Sequence, residues 1–249
     1  WVIYCLIYDF GDIFFRCQYK RSMNSLSFAA PPRVHRLLVL ATPILVLTIG
    51  HFAARLSQVL LGEWAWIGSS LFYWGSMALI IWFLGDRQSV RRWFGRSQGS
   101  KWWIGLALAI GLISFPLILI PNIQALRPTG LVVAWFLFAV VNSTCEEAYW
   151  RGFLLDETSY LPRAFGVIYS TIFFTAIHPM MLGVFSKTNA FDAANPTALV
   201  PFWAILVILS LAFCLLYLKT KSLRLPILAH FLSDLGNLSI FLFMNLIVM

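Results

Sequence analysis

Seven apolar stretches of about twenty residues restrict what this chain can become: 36–54, 65–85, 102–121, 130–150, 164–182, 198–218 and 225–247. A helix needs about 20 apolar residues to cross a hydrocarbon core about 30 Å thick. In lipid the backbone must satisfy its own hydrogen bonds, so helices are the required form. The expectation is an all-α, polytopic integral membrane helix bundle with about seven transmembrane helices. The chain is 60% hydrophobic and only 11% charged, whereas an ordinary soluble domain carries about 25% charged residues. Residues 31–249 read as a single membrane domain with no linker and no transporter-type repeat. Residues 1–30 read as a peripheral or poorly ordered segment. The Trp1–Tyr8 run is too short to span and is interrupted by Asp9 and Asp12.

The basic residues fall between the apolar stretches, where they orient a membrane protein against anionic headgroups. With the N-terminus in the cytoplasm, fifteen Lys and Arg lie inside, and only Arg55, Arg127 and Lys187 lie outside. Membrane lipid is therefore the expected partner of the net charge of +8. No basic tract with interleaved aromatics points to nucleic acid. Cys5, Cys17, Cys145 and Cys214 form no CxxC pair, which gives neither a disulfide framework nor a thiolate zinc site. Cys145 reads as a small buried hydrophobe rather than a nucleophile.

One polar group does not fit a greasy helix. Glu146, Glu147 and Arg151 stand at the end of the apolar run that begins near Leu131. A charge near the bilayer centre costs roughly 2.5–3.5 kcal/mol on insertion scales, so such residues are usually partnered and functional. Residues four apart share a helix face, so Glu147 can pair with Arg151 and Asn142 with Glu146. Glu146 lies about 140° from Arg151 at 100° per residue and is the carboxylate left over. The blander alternative is a juxtamembrane cluster facing headgroups. Further along, His178 precedes Pro179, which marks a kink or helix end. His230 and Asp234 are four apart, and Asn237 extends their stripe. A single membrane histidine more often bonds one helix to another than catalyses. Ionisable groups nevertheless gather in the fourth, fifth and seventh stretches, while the second, third and sixth have almost none.

Such residues suit hydrolysis. A carboxylate taken out of water becomes a stronger base toward a water molecule. Neighbouring histidines can hold that water or bind the oxyanion at a scissile carbonyl. No Ser, Thr or Cys nucleophile stands in a comparable polar setting, so direct attack by water is the simplest route.

Glu146-Glu147-x-x-x-Arg151, Phe174-x-x-x-His178 and His230-x-x-x-Asp234, in that order on separate helices, resemble the CAAX protease and bacteriocin-processing family. That family of intramembrane endopeptidases is related to the type II CAAX prenyl proteases, and the similarity covers roughly residues 130–240. The resemblance implies that Glu146 activates water with help from His178, that His230 and Asp234 stabilise the oxyanion, and that Glu147 and Arg151 support them. It also implies a peptide or protein substrate with a hydrophobic or lipid-modified segment. Ionised Asp234 has no hydrogen to donate to an oxyanion, so it is either protonated or orients His230. A zinc ion on Glu146, His178 and His230 is the rival to a metal-free mechanism. The metal-free version is favoured because no HExxH pair supplies two ligands from one helix. Two other functions stay open: an ion or proton transporter using Glu146, His178 and Asp234 as a relay, and a non-catalytic membrane scaffold. One geometric difficulty accompanies all of this. A stretch ending at residue 150 puts Glu146 near its cytoplasmic end, whereas His178 lies about 22 Å of straight helix beyond Arg163.

Overall fold

Every regular element among the described residues is helical. The computed structural model describes residues 32–127, 129–179 and 196–247. The segment 1–30 and Lys187 therefore lie outside the described residues. The helices are α1 (Arg33–Leu61), α2 (Ala65–Leu84), α3 (Arg87–Trp93), α4 (Trp102–Leu112) and α5 (Thr129–Glu147). They continue with α6 (Arg163–Ile177), α7 (Pro196–Thr220), α8 (Arg224–Gly236) and α9 (Ser239–Phe243). A π-helical segment, Phe115–Leu119, follows α4. A second, Ala148–Phe153, prolongs α5 into Leu154–Glu157.

The expected number of spans is corrected. Among the described residues, four helical stretches are long and apolar enough to cross a membrane, not seven: Arg33–Leu84, Trp102–Leu119, Gly130–Glu157 and Val200–Thr220. The chain is a multi-pass membrane protein. The first two expected spans belong to one continuous stretch, broken only by a tight turn at Gly62–Trp64. Gly62 takes φ +55 there, a backbone conformation that costs glycine little. The fifth expected span gives α6, which at 15 residues stops before Pro179. The seventh breaks after α8. Ser239 Oγ donates to the Asp234 carbonyl at 3.2 Å and to Asn237 Oδ1 at 2.6 Å. Such local polar bonds offer the backbone an alternative to the helix, and Leu238 turns left-handed at φ 55. Hydropathy run-length registers none of these breaks.

α5 is the central element. Phe138 packs edge-on against Trp66 of α2 and Phe243 of α9, and Trp135 against Phe241. On another side of the bundle, α4 meets α8 at Gly111, where any Cβ would lie 2.6 Å from the Leu232 Cβ. Large apolar side chains such as Val59, Leu71 and Phe83 face outward, as a lipid-facing surface requires. Trp64 and Trp102 are exposed, whereas Trp66 is buried in the core.

One end of the bundle gathers several termini. His35 near the start of α1 bonds Glu157 at 2.9 Å, and Arg92 of α3 bonds Asp156 at 2.9 Å. The Gln98 N–H donates to the Thr220 carbonyl at the end of α7, at 2.8 Å. Depth is corrected by the same elements. The helical run bearing Glu146 continues to Glu157, so Glu146 sits about 16 Å in from that end at 1.5 Å per residue. The expected mismatch with His178 is thereby largely removed.

Candidate active site

Glu146 and Glu147 are adjacent, yet the fold treats them differently. Glu147 is fully buried. Its Oε1 accepts from Arg151 Nη1 at 3.1 Å and from His230 Nδ1 at 2.7 Å. The Glu147–Arg151 pairing expected from their spacing is thus present, and it joins α5 to α8. Arg151 is held on three further sides. Its Nη2 donates to Ser210 Oγ at 3.0 Å, and its guanidinium lies 4.1 Å from the Phe174 ring centre and 5.2 Å from that of Phe213. Ser210 passes its own hydrogen to Thr171 Oγ1 at 3.1 Å. A buried cation needs partners of this kind, and here α6 and α7 supply them.

The other expected pairing, Asn142 with Glu146, is not formed. Trp74 Nε1 donates to Asn142 Oδ1 at 3.0 Å. An indole N–H can only donate, so it fixes the amide orientation. The Asn142 Nδ2 then donates to Asp234 Oδ2 at 3.0 Å. Glu146 is left with Oε2 buried and without a protein hydrogen-bond partner among the described residues. His230 Nε2 lies 3.8 Å from that oxygen and 3.7 Å from Asp234 Oδ1. The imidazole is therefore anchored through Nδ1, with Nε2 directed between two carboxylates.

His178 occupies the end of α6. Its Nδ1–H donates to the Phe174 carbonyl at 2.7 Å, which leaves Nε2 uncommitted to the backbone. The Phe174 ring links the set. Its centre is 4.6 Å from the His178 ring and 6.2 Å from the His230 ring, edge-on to both. Phe213 stacks on His230 at 5.1 Å. His178 also interacts electrostatically with His230 and Arg151.

The π-helical segment begins directly after Glu147. Such wide turns inside α-helices frequently mark functional sites. Tyr149, Trp150, Arg151, Gly152 and Phe153 are all buried, so the bundle encloses this segment on every side. Ser170 Oγ satisfies the Trp150 carbonyl at 2.8 Å.

Residues 128–236 match the family described as Type II CAAX prenyl endopeptidase Rce1-like. That segment is homologous to the CAAX protease (CPBP) family. No curated protein and no solved structure matches the chain. The Rce1-like segment holds Asn142, Glu146, Glu147, Arg151, His178, His230 and Asp234, and Asn237 lies just beyond it. Ser210, Thr171 and Phe213 also belong to it but escaped the sequence reading, because uncharged residues in an apolar stretch carry no signal. Tyr73 and Trp74 lie outside it. Among the described residues no three His, Cys, Asp or Glu side chains converge to hold a metal ion. The zinc set Glu146, His178 and His230 does not assemble as placed.

Proposed function

We propose that the chain is an intramembrane endopeptidase in which Glu146 activates the water that attacks a peptide carbonyl. One observation carries the reading: Glu146 keeps a buried carboxylate oxygen free of protein partners 3.8 Å from His230 Nε2, while its neighbour Glu147 is tied through Oε1 to both Arg151 and His230. Buried polar atoms are nearly always bonded, so a carboxylate oxygen left open beside a histidine is placed for a ligand.

The roles follow from the bonds. Glu146 takes the proton from water. His178, its Nδ1–H committed to the Phe174 carbonyl, uses Nε2 to hold that water. His230, anchored by Glu147 through Nδ1–H and carrying a proton on both ring nitrogens as it sits among carboxylates, offers Nε2–H to the oxyanion that forms on the carbonyl. Asp234 accepts from Asn142 and so orients His230 rather than donating to the oxyanion. Glu147 and Arg151 hold His230 in register. The proton taken by Glu146 then passes to the leaving amine, which closes the cycle.

The substrate is a peptide or protein with a hydrophobic or lipid-modified segment, and membrane lipid is its medium. The family supports this, as does a site about 9–22 Å of helix from the end that holds Arg33, Glu157 and Arg224. That end carries Arg87, Arg91, Arg92, Arg96, Lys101, Lys219 and Lys221, and by the positive-inside rule it is cytoplasmic, with the N-terminus on the same side. The test is cleavage of a hydrophobic membrane peptide by purified protein, with Glu146→Gln as control. The reading expects cleavage by the native chain alone. If neither form cleaves and the native chain conducts ions in a Glu146-dependent way, a transporter replaces the protease.

A further inference from the structure

We propose that Tyr73 of α2, outside the Rce1-like segment, is a positioning residue that hydrogen-bonds the Glu146 carboxylate and fixes its rotamer for catalysis. The inference rests on the reading of Glu146 as the base. Two indole bonds locate α2 against the α5 run. Trp74 Nε1 donates to Asn142 Oδ1 at 3.0 Å, and Trp150 Nε1 donates to the Tyr73 hydroxyl at 3.2 Å. Asn142, Glu146 and Trp150 stand at intervals of four residues, so they follow one face of the run. Trp74 and Tyr73 thus meet that face one turn before and one turn after Glu146 respectively, with the carboxylate between them.

The hydrogen inventory then assigns the direction. An indole N–H only donates, so Trp150 occupies a lone pair of the Tyr73 oxygen and leaves its O–H hydrogen to find an acceptor. Tyr73 is only 3% exposed, so that acceptor is protein and not bulk water. Glu146, between the two anchor points, is the carboxylate that interacts electrostatically with this hydroxyl. A carboxylate accepts and cannot donate. The chain Trp150 N–H to Tyr73 O–H to Glu146 therefore runs one way. It holds one carboxylate oxygen and turns the other toward the reacting water. The arrangement also explains why a bulky polar aromatic is buried at the centre of an apolar bundle.

Tyr73→Phe removes only the hydroxyl. We expect kcat for a membrane peptide to fall roughly 10- to 100-fold, the range of one hydrogen bond to a charged group. KM should stay within about twofold, because the bond acts on the base and not on substrate binding. Thermal unfolding in the same detergent should be nearly unchanged. Trp150→Phe, which removes the N–H that aims the hydroxyl and also shrinks a buried ring, should lower kcat per folded molecule by a smaller factor in the same direction, and it serves as the test if Tyr73→Phe does not fold. Native kcat in Tyr73→Phe, with Glu146→Gln inactive, overturns the inference and leaves the mechanism standing. A raised KM at unchanged kcat also overturns it. Normal cleavage by Glu146→Gln instead removes the reading beneath it, whatever Tyr73→Phe does.

Discussion

Two carboxylate clusters sit ten residues apart on one helical run, and they are finished to different degrees. At Asp156 every oxygen is taken. Oδ1 accepts from the Tyr217 hydroxyl at 2.7 Å, and Oδ2 accepts from Trp93 Nε1 at 2.8 Å and Arg92 Nη2 at 2.9 Å. At Glu146 and Glu147 both Oε2 atoms are buried without a protein partner, and so is Nε of Arg151. Those are three of the six such atoms among the described side chains, and they fall on one short segment. Saturation of a half-buried carboxylate such as Asp156 rigidifies a fold, whereas an open oxygen in the core is a cost that only a ligand or a reaction offsets. The first cluster reads as architecture. It ties α3, the end of the α5 run and α7 together, and from there Ser222 and Leu223 bond the Trp93 carbonyl and lead into α8. The second reads as chemistry.

Substitutions sharpen the contrast. The largest effect is expected from Glu146→Gln, which keeps the shape and removes the base: cleavage falls on the order of 10²–10⁴-fold, with thermal stability held or raised in a melting scan. Arg151→Met comes next. It strands Glu147 in the core, and losing one partner of a buried pair costs about 3–5 kcal/mol, read as a drop in denaturation midpoint. Asp156→Asn should lose about 1–3 kcal/mol of stability while the folded fraction keeps its cleavage rate within a few-fold. Gly111→Val wedges α4 off Leu232 and should cost about 1–3 kcal/mol by overpacking. The smallest effect is none at all. A chelator should leave the cleavage rate unchanged, because Glu146, His178 and His230 do not assemble as a ligand set.

How much of this was legible in the sequence depended on whether a partner lay on the same helix. Glu147 and Arg151 are four apart, so their bond follows from spacing alone. Asn142 and Glu146 have the same spacing, yet Asn142 is claimed by Trp74 and Asp234 from two other helices. The four long apolar stretches were visible as hydropathy. The helix end before Pro179 was legible from the proline itself, but the break at Ser239 was not, because Ser239 acts through local bonds that leave the apolar run unbroken. The wide turn after Glu147 was equally hidden. The burial of Tyr149, Trp150 and Arg151 around it depends on the bundle rather than on periodicity.

The central claim is that the open carboxylate of Glu146, and not the saturated one of Asp156, does the chemistry. Its most direct test is the cleavage rate per folded molecule for Glu146→Gln and Asp156→Asn, measured side by side on one membrane peptide in one detergent. The account predicts near-complete loss in the first and a rate close to native in the second. Native cleavage by Glu146→Gln, or equal loss in both, would contradict it.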